Sequence, residues 1–288
     1  LADGEEVVSD TSASVQRRRS VQSGRLAAVP RFAFLAGLPR SGSTLLASLL
    51  NQRPDVYVST NSPVAQLMWE TEQMVPRLEQ YRANPNPAAA FGLVAGILPT
   101  YYADRTEAVV IDKCRAWGTP GNLRMLTTYV TEDVRIVCLT RPVIEVLASF
   151  IRLMHENPPG SIFDRRLPEG YRPLDDRRCD TLMMPGGEMD RSLWSVHNLR
   201  QPEHARNALL LTYAELVDDA LDALRRVETF LDLEPFDYET GNVRNAEPEN
   251  DSVYGLAGMH EVRPTIERRS VSPEEVLSDY VLNKYGSY

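Results

Sequence analysis

The sequence predicts an α/β fold, a parallel β-sheet flanked by helices. Two observations point there. From Phe32 onward, short apolar runs alternate with longer amphipathic stretches, as in chains built of βαβ units. The first run also passes through a glycine-bearing turn directly into an apolar helical pattern. Phe32 to Ala36, Ala108 to Ile111, Arg135 to Leu139 and Ala208 to Leu211 read as buried strands, being short and nearly continuous in apolar residues. Helices are expected at Ser43 to Asn51, Val64 to Tyr81, Ala88 to Ala103, Asn122 to Val130, Val143 to Met154 and Leu216 to Leu231. In such a sheet a ligand sits at the carboxyl ends of the strands.

The chain of 288 residues, 43% of them hydrophobic, can bury a sizeable core. Residues 1–30 are polar and carry the run Arg17-Arg18-Arg19, so a flexible tail is expected before a single domain spanning residues 31–288. The chain opens on Leu1 rather than Met, as a processed or excised protein does. Residues 155–190 are dense in proline and glycine and read as an irregular functional loop or lid.

No apolar run approaches the roughly 18 residues that span a bilayer, and the N-terminus lacks a signal peptide's apolar core, so no membrane association is expected. Cys114, Cys138 and Cys179 cannot all pair internally, which fits a reducing, cytoplasmic setting. A net charge of −9 argues against nucleic acid as a partner, whose phosphates need a basic face. The histidines at 155, 197, 204 and 260 show none of the close pairings of a zinc site, so no metal is expected.

The strongest chemical signal is Gly37-Leu38-Pro39-Arg40-Ser41-Gly42-Ser43-Thr44, set between the first strand and the helix that follows. A strand, a glycine turn and a helix start aim several backbone N–H groups at one point, where the helix dipole also favours negative charge. Gly42 allows close approach of a ligand, and Ser43 and Thr44 add hydroxyl donors. The spacing resembles the nucleotide-binding P-loop, except that Ser43 stands where that pattern has lysine and the basic residue is Arg40. A second anion site is expected at Arg141, which ends the run Arg135 to Thr140, with Ser149 about two helical turns further on.

Pro39-Arg40-Ser41-Gly42-Ser43-Thr44 resembles the 5′-phosphosulfate loop of the sulfotransferases, and Arg141 with Ser149 resembles the pair that binds the 3′-phosphate of their donor. Tyr213 resembles the tyrosine near the family's nucleotide site, and Arg263 the arginine of its C-terminal nucleotide loop. Asn61-Ser62-Pro63-Val64, Asp112 to Trp117 and His260 to Pro264 further resemble a group of bacterial and phage-type sulfotransferases. The resemblance implies a P-loop NTPase-like sulfotransferase fold. It implies 3′-phosphoadenosine 5′-phosphosulfate (PAPS) as donor, adenosine 3′,5′-bisphosphate (PAP) as product, no metal, and a hydroxyl-bearing small-molecule, glycan or peptide acceptor. Residues 155–190 would then cover the acceptor.

In-line sulfuryl transfer gathers charge on the bridging oxygen, so fixed cations beside it lower the barrier. Arg40 and Lys113 are the candidates, a lysine standing at the position of Lys113 in the cytosolic sulfotransferases. The family's usual base, a histidine two residues after that lysine, is replaced by Arg115, and the glutamate of the peptide-tyrosine branch by Asn61. Asp112, Glu70, Glu72, His155 and His197 are left as candidate bases. Leu45 replaces the tryptophan that stacks on adenine in many cytosolic members, with Trp117 as a substitute. Two rival readings stay open: a P-loop kinase with Asp112 on magnesium, and a nucleotide-binding domain without catalysis.

Overall fold

The computed structural model describes residues 30–268 and 272–288. The tail expected over residues 1–30 lies outside them, except for Pro30. Five parallel strands form one sheet: β1 (Arg31–Gly37), β2 (Val56–Asn61), β3 (Val109–Lys113), β4 (Ile136–Thr140) and β5 (Ala208–Thr212), in the order β2-β3-β1-β4-β5. The helices are α1 (Ser43–Leu50), α2 (Val64–Met74), α3 (Glu79–Ala83), α4 (Pro87–Tyr101), α5 (Pro120–Tyr129), α6 (Val143–His155), α7 (Leu174–Met183), α8 (Asp190–Leu199), α9 (Tyr213–Asp218), α10 (Ala220–Phe230) and α11 (Asp279–Tyr285).

Alternate residues of the central strand β1 point to opposite faces of the sheet. Ala33 and Leu35 join Leu46, Leu49, Leu224 and Val227 of α1 and α10 in one core. Phe34 and Ala36 join Met68, Trp117, Leu126 and Phe150 in the other, larger core. Burying each large apolar side chain contributes about 1.5–3 kcal/mol relative to leaving it in water.

This strand order positions the site. After β1 the chain runs through α1 to β2, beyond β3 on one side, whereas β4 lies against the other side of β1. Loops leaving β1 and β4 therefore diverge, and a crevice opens at the carboxyl edge, the usual ligand position in open α/β sheets.

Several elements differ from expectation. β2 is an edge strand with only Val56, Tyr57 and Val58 as its apolar run before Ser59-Thr60-Asn61, too short a signal to stand out. The helix expected from Val64 to Tyr81 breaks at Val75–Arg77, because Pro76 has no N–H to continue the ladder and Leu78 is extended. The stretch from Leu216 to Leu231 divides at Asp219, whose side chain accepts from the Asp222 N–H and starts a new helix. Residues 155–190 are not wholly irregular. Pro173 starts α7, whose charged sequence hid the buried face made by Cys179 and Leu182. Asp180 on α7 is bonded by Lys284 Nζ at 2.8 Å and Tyr285 Oη at 2.7 Å, which ties α11 to this segment.

Candidate active site

The turn after β1 accepts few other sequences. Gly37 has a φ of +130°, and a Cβ there would lie 2.1 Å from the Leu139 carbonyl oxygen. Gly42, with φ +90°, opens α1, and no side chain caps that helix start. The amides of its first turn thus face the crevice together with Ser43 and Thr44, which wall the same cavity. Ser41 turns away: its hydroxyl is fully buried and donates to the Leu38 carbonyl at 2.6 Å, fixing the shape of the turn.

Arg40 holds a left-handed φ of +58°, unusual for a side chain with a Cβ. Its Nε donates to Ser149 Oγ at 3.1 Å and its Nη1 to the Met259 carbonyl. Arg141 donates to the Arg40 carbonyl at 2.9 Å and to Glu145 at 3.0 Å, and its guanidinium lies 4.2 Å from the centre of the Tyr213 ring. Pro39, Arg40, Arg141, Ser149, Tyr213 and Arg263 wall one cavity with the α1 start. The segment Gly258–Glu267 closes over it.

Along the carboxyl edge, Arg141 follows β4 on one side of the loop, while Asn61 at the end of β2 and Arg115 after β3 lie on the other. Asn61, Arg115 and His260 wall the same cavity as the loop. His260 Nδ1 is 2.6 Å from Asp251 Oδ1, and its Nε2 is 3.2 Å from the Asn61 amide nitrogen. With Nδ1 donating to the carboxylate, Nε2 carries the lone pair and accepts from Asn61. Beside them Glu249 accepts from Lys113 Nζ at 3.1 Å and from Asn61 at 3.0 Å. Burial holds His260 below the ordinary histidine range against the opposing pull of Asp251. Burial pushes Glu249 up, but Lys113 and His260 outweigh it and keep this carboxyl below its usual range. Of the two, His260 is the one that walls the cavity, where its imidazole can meet a hydroxyl.

Lys113 lies beneath this cluster, 3% exposed and paired with Glu249, and is not among the residues that wall the cavity. Asp112 is fully buried and takes hydrogen bonds from Ser62, Tyr102 at 2.7 Å and Trp117 at 2.7 Å. With these three donors, and outside the cavity wall, Asp112 anchors the end of β3 and is not placed to act as a base or a magnesium ligand, the role that the kinase reading needs. Trp117 is fully buried edge-on against Phe34, so it cannot stack on a nucleotide base. Glu72 is bonded to Arg124 and Tyr129, His155 to Asp175 and His197 to Gln201, and Glu70 to Gln66, all outside the cavity wall. Glu249 and Asp251 stood in no sequence motif, and His260 stood out only as one of four unpaired histidines and in the segment His260 to Pro264. Their one signal was a cluster of titratable residues in an otherwise irregular stretch.

The sulfotransferase family model matches residues 33–238. The chain belongs to the sulfotransferase family. Among solved structures, this sulfotransferase is similar to mouse sulfotransferase SULT7A1 complexed with PAP, at 12% identity and a TM-score of 0.51 over 91% of this chain and 83% of that one. It also matches the sulfotransferase domain of the Synechococcus PCC 7002 olefin synthase, at 22% identity and a TM-score of 0.47 over 72% of this chain and 75% of that one. The sulfotransferase domain from the curacin biosynthetic pathway matches at 15% identity and a TM-score of 0.49, over 90% and 98% of the two chains. No curated protein matches the sequence. Among the described residues of this sulfotransferase, no helix is long and apolar enough to cross a membrane.

Proposed function

We propose that this sulfotransferase takes its sulfuryl group from PAPS and passes it to the hydroxyl of a small-molecule, glycan or peptide acceptor, with His260 as general base. The observation that carries this reading is a single cavity shared by Arg40, Arg141, Ser149 and the α1 start with Asn61 and His260. The donor set fits a doubly anionic adenosine: uncapped helix amides with Arg40 for the 5′ group, and Arg141 with Ser149 for the 3′-phosphate. Pro39, Ser43, Thr44, Tyr213 and Arg263 complete the walls around it, and Ser41 fixes the turn from behind.

When bound, PAPS supplies a sulfuryl group whose S–O bond to the phosphate breaks as the acceptor oxygen bonds to sulfur. The acceptor hydroxyl displaces the Asn61 N–H from His260 Nε2, which takes the hydroxyl's proton, and Asp251 on Nδ1 stabilises the imidazolium that results. Arg40 and the α1 amides stabilise the charge that collects on the departing phosphate oxygen. Lys113 acts through Glu249, whose carboxylate holds the Asn61 amide beside Nε2. A base supplied from the C-terminal loop also argues against a domain that only binds nucleotide.

Thermal shift and transfer assays test the reading. PAP without metal should raise the melting temperature, while ATP with magnesium should not. Labelled PAPS with a metabolite library should give products heavier by one sulfuryl group. An ATP-magnesium shift exceeding that of PAP, or bound donor never consumed, would overturn the proposal.

A further inference from the structure

The cavity contains a cation that the donor does not need. Arg115 follows Lys113 by two residues and lies on the Asn61 side of the loop, away from Arg141 and Ser149. Its side chain is only 26% exposed, and it forms an ion pair with Glu188. Glu188 is itself only 22% exposed and belongs to the connection between α7 and α8, within the segment that the sequence marks as a lid. A guanidinium withdrawn from water needs a counter-anion, because its lost hydration must be replaced by a charged partner. It shares the cavity wall with Asn61 and His260, on the side of the loop opposite Arg141, which is the acceptor's side in the proposed chemistry.

We propose that Arg115 recognises a carboxylate on the acceptor, and that Glu188 occupies that carboxylate's place until the acceptor enters. The inference rests on the sulfotransferase reading and narrows it: the acceptor is a small hydroxy acid. Its hydroxyl faces His260 while its carboxylate replaces Glu188 on the planar, bidentate guanidinium, a geometry that a lysine would not reproduce. Releasing Glu188 unties the connection between α7 and α8 from Arg115. The overall charge of −9 does not oppose this, since in the cavity wall the arginines at 40, 115, 141 and 263 outnumber the carboxylates of Glu261 and Glu267.

The test uses the full chain, labelled PAPS, and ω-hydroxyalkanoates and hydroxyphenylalkanoates of graded length, each paired with its primary amide. The wild type should prefer acid over amide by about tenfold or more in kcat/KM, because a site built around a fixed charge rejects the analogue lacking its partner. R115Q should collapse that ratio through a higher KM for the acids while PAP affinity stays the same. E188Q, which removes the competing anion, should lower KM for the acids and serves if R115Q folds poorly. Equal use of acid and amide by the wild type would overturn the proposal, as would a loss in R115Q that is equal for both or appears in PAP affinity. So would the absence of both transfer and PAP-dependent thermal stabilisation with every acid. Failure to bind PAP at all would be a different result, marking failure of the sulfotransferase reading itself.

Discussion

His260 and Asp251 stand 2.6 Å apart, nitrogen to carboxylate oxygen, and the histidine's other nitrogen meets Asn61 in the cavity that holds the anion-binding loop. In the proposed mechanism this pair supplies the proton acceptor, where the loop after β3 has Arg115. We therefore expect H260Q to lower kcat by about 10²–10⁴-fold, the usual contribution of a positioned general base. PAP affinity, measured by calorimetry, should not change. D251N should give a smaller loss in kcat, since it removes the group that orients the ring and leaves the base in place.

Activity should depend on pH through the same ring. Asp251, Glu249, Asn61 and Lys113 all face His260, yet burial is the largest influence and holds its pKa below the ordinary value of 6.5. Only the neutral ring accepts a proton, so kcat/KM should rise with pH through a midpoint below 6.5 and level off above it. Stability follows the same sign. Below 6.5 the unfolded chain binds the proton first, so wild-type stability falls as pH falls toward the folded pKa. Urea midpoints at both ends of that window should show a smaller drop for H260Q than for the wild type.

Arg141 is 9% exposed at its side chain, bonded to the loop carbonyl and stacked on Tyr213. R141A should weaken PAP binding by about 2–5 kcal/mol, the cost of leaving a desolvated phosphate without its charged partner. Isothermal titration with wild type and variant measures it directly.

Lys113 and Glu249 form a buried pair, 4% and 8% exposed at their side chains. K113M should destabilise the fold by about 3–5 kcal/mol by leaving the carboxylate unpaired. It should also depress turnover by loosening Asn61 beside Nε2. The double variant K113M/E249L should recover much of the stability but not the turnover, which separates the two effects in denaturant titrations and transfer assays.

Gly37 combines a positive φ with no room for a Cβ against Leu139. G37A should cost about 3 kcal/mol or more in stability, through backbone strain and displacement of β4. Urea unfolding measures it. G42A faces only side chains of Leu216 and Tyr213, at 3.2 Å, so its penalty should be smaller and should appear as weaker PAP binding.

The sheet, the anion loop and the Arg141–Ser149 pair were legible because each is local. A strand running into Gly37–Thr44 and then a helix builds the proposed anion site from consecutive residues, and Arg141 and Ser149 share a strand end and the following helix. Periodicity and turn chemistry act over such distances without any knowledge of the remaining chain. β2 escaped notice because an edge strand with three apolar residues carries almost no periodic signal. α7 escaped because its charged residues are satisfied by tertiary partners such as Asp164 and Lys284.

What the sequence alone determined is the fold class and the loop proposed to bind the donor, since both follow from backbone geometry within short segments. Only the tertiary structure decided the proposed base and the proposed acceptor contact. Glu249 reaches Lys113 across 136 residues, and Arg115 meets Glu188 from a different helix connection. Such pairs arise from how the C-terminal loop and the α7–α8 connection fold back over the carboxyl edge of the sheet. No short-range pattern encodes that return, because side chains far apart in sequence meet only once the sheet exists to bring them together.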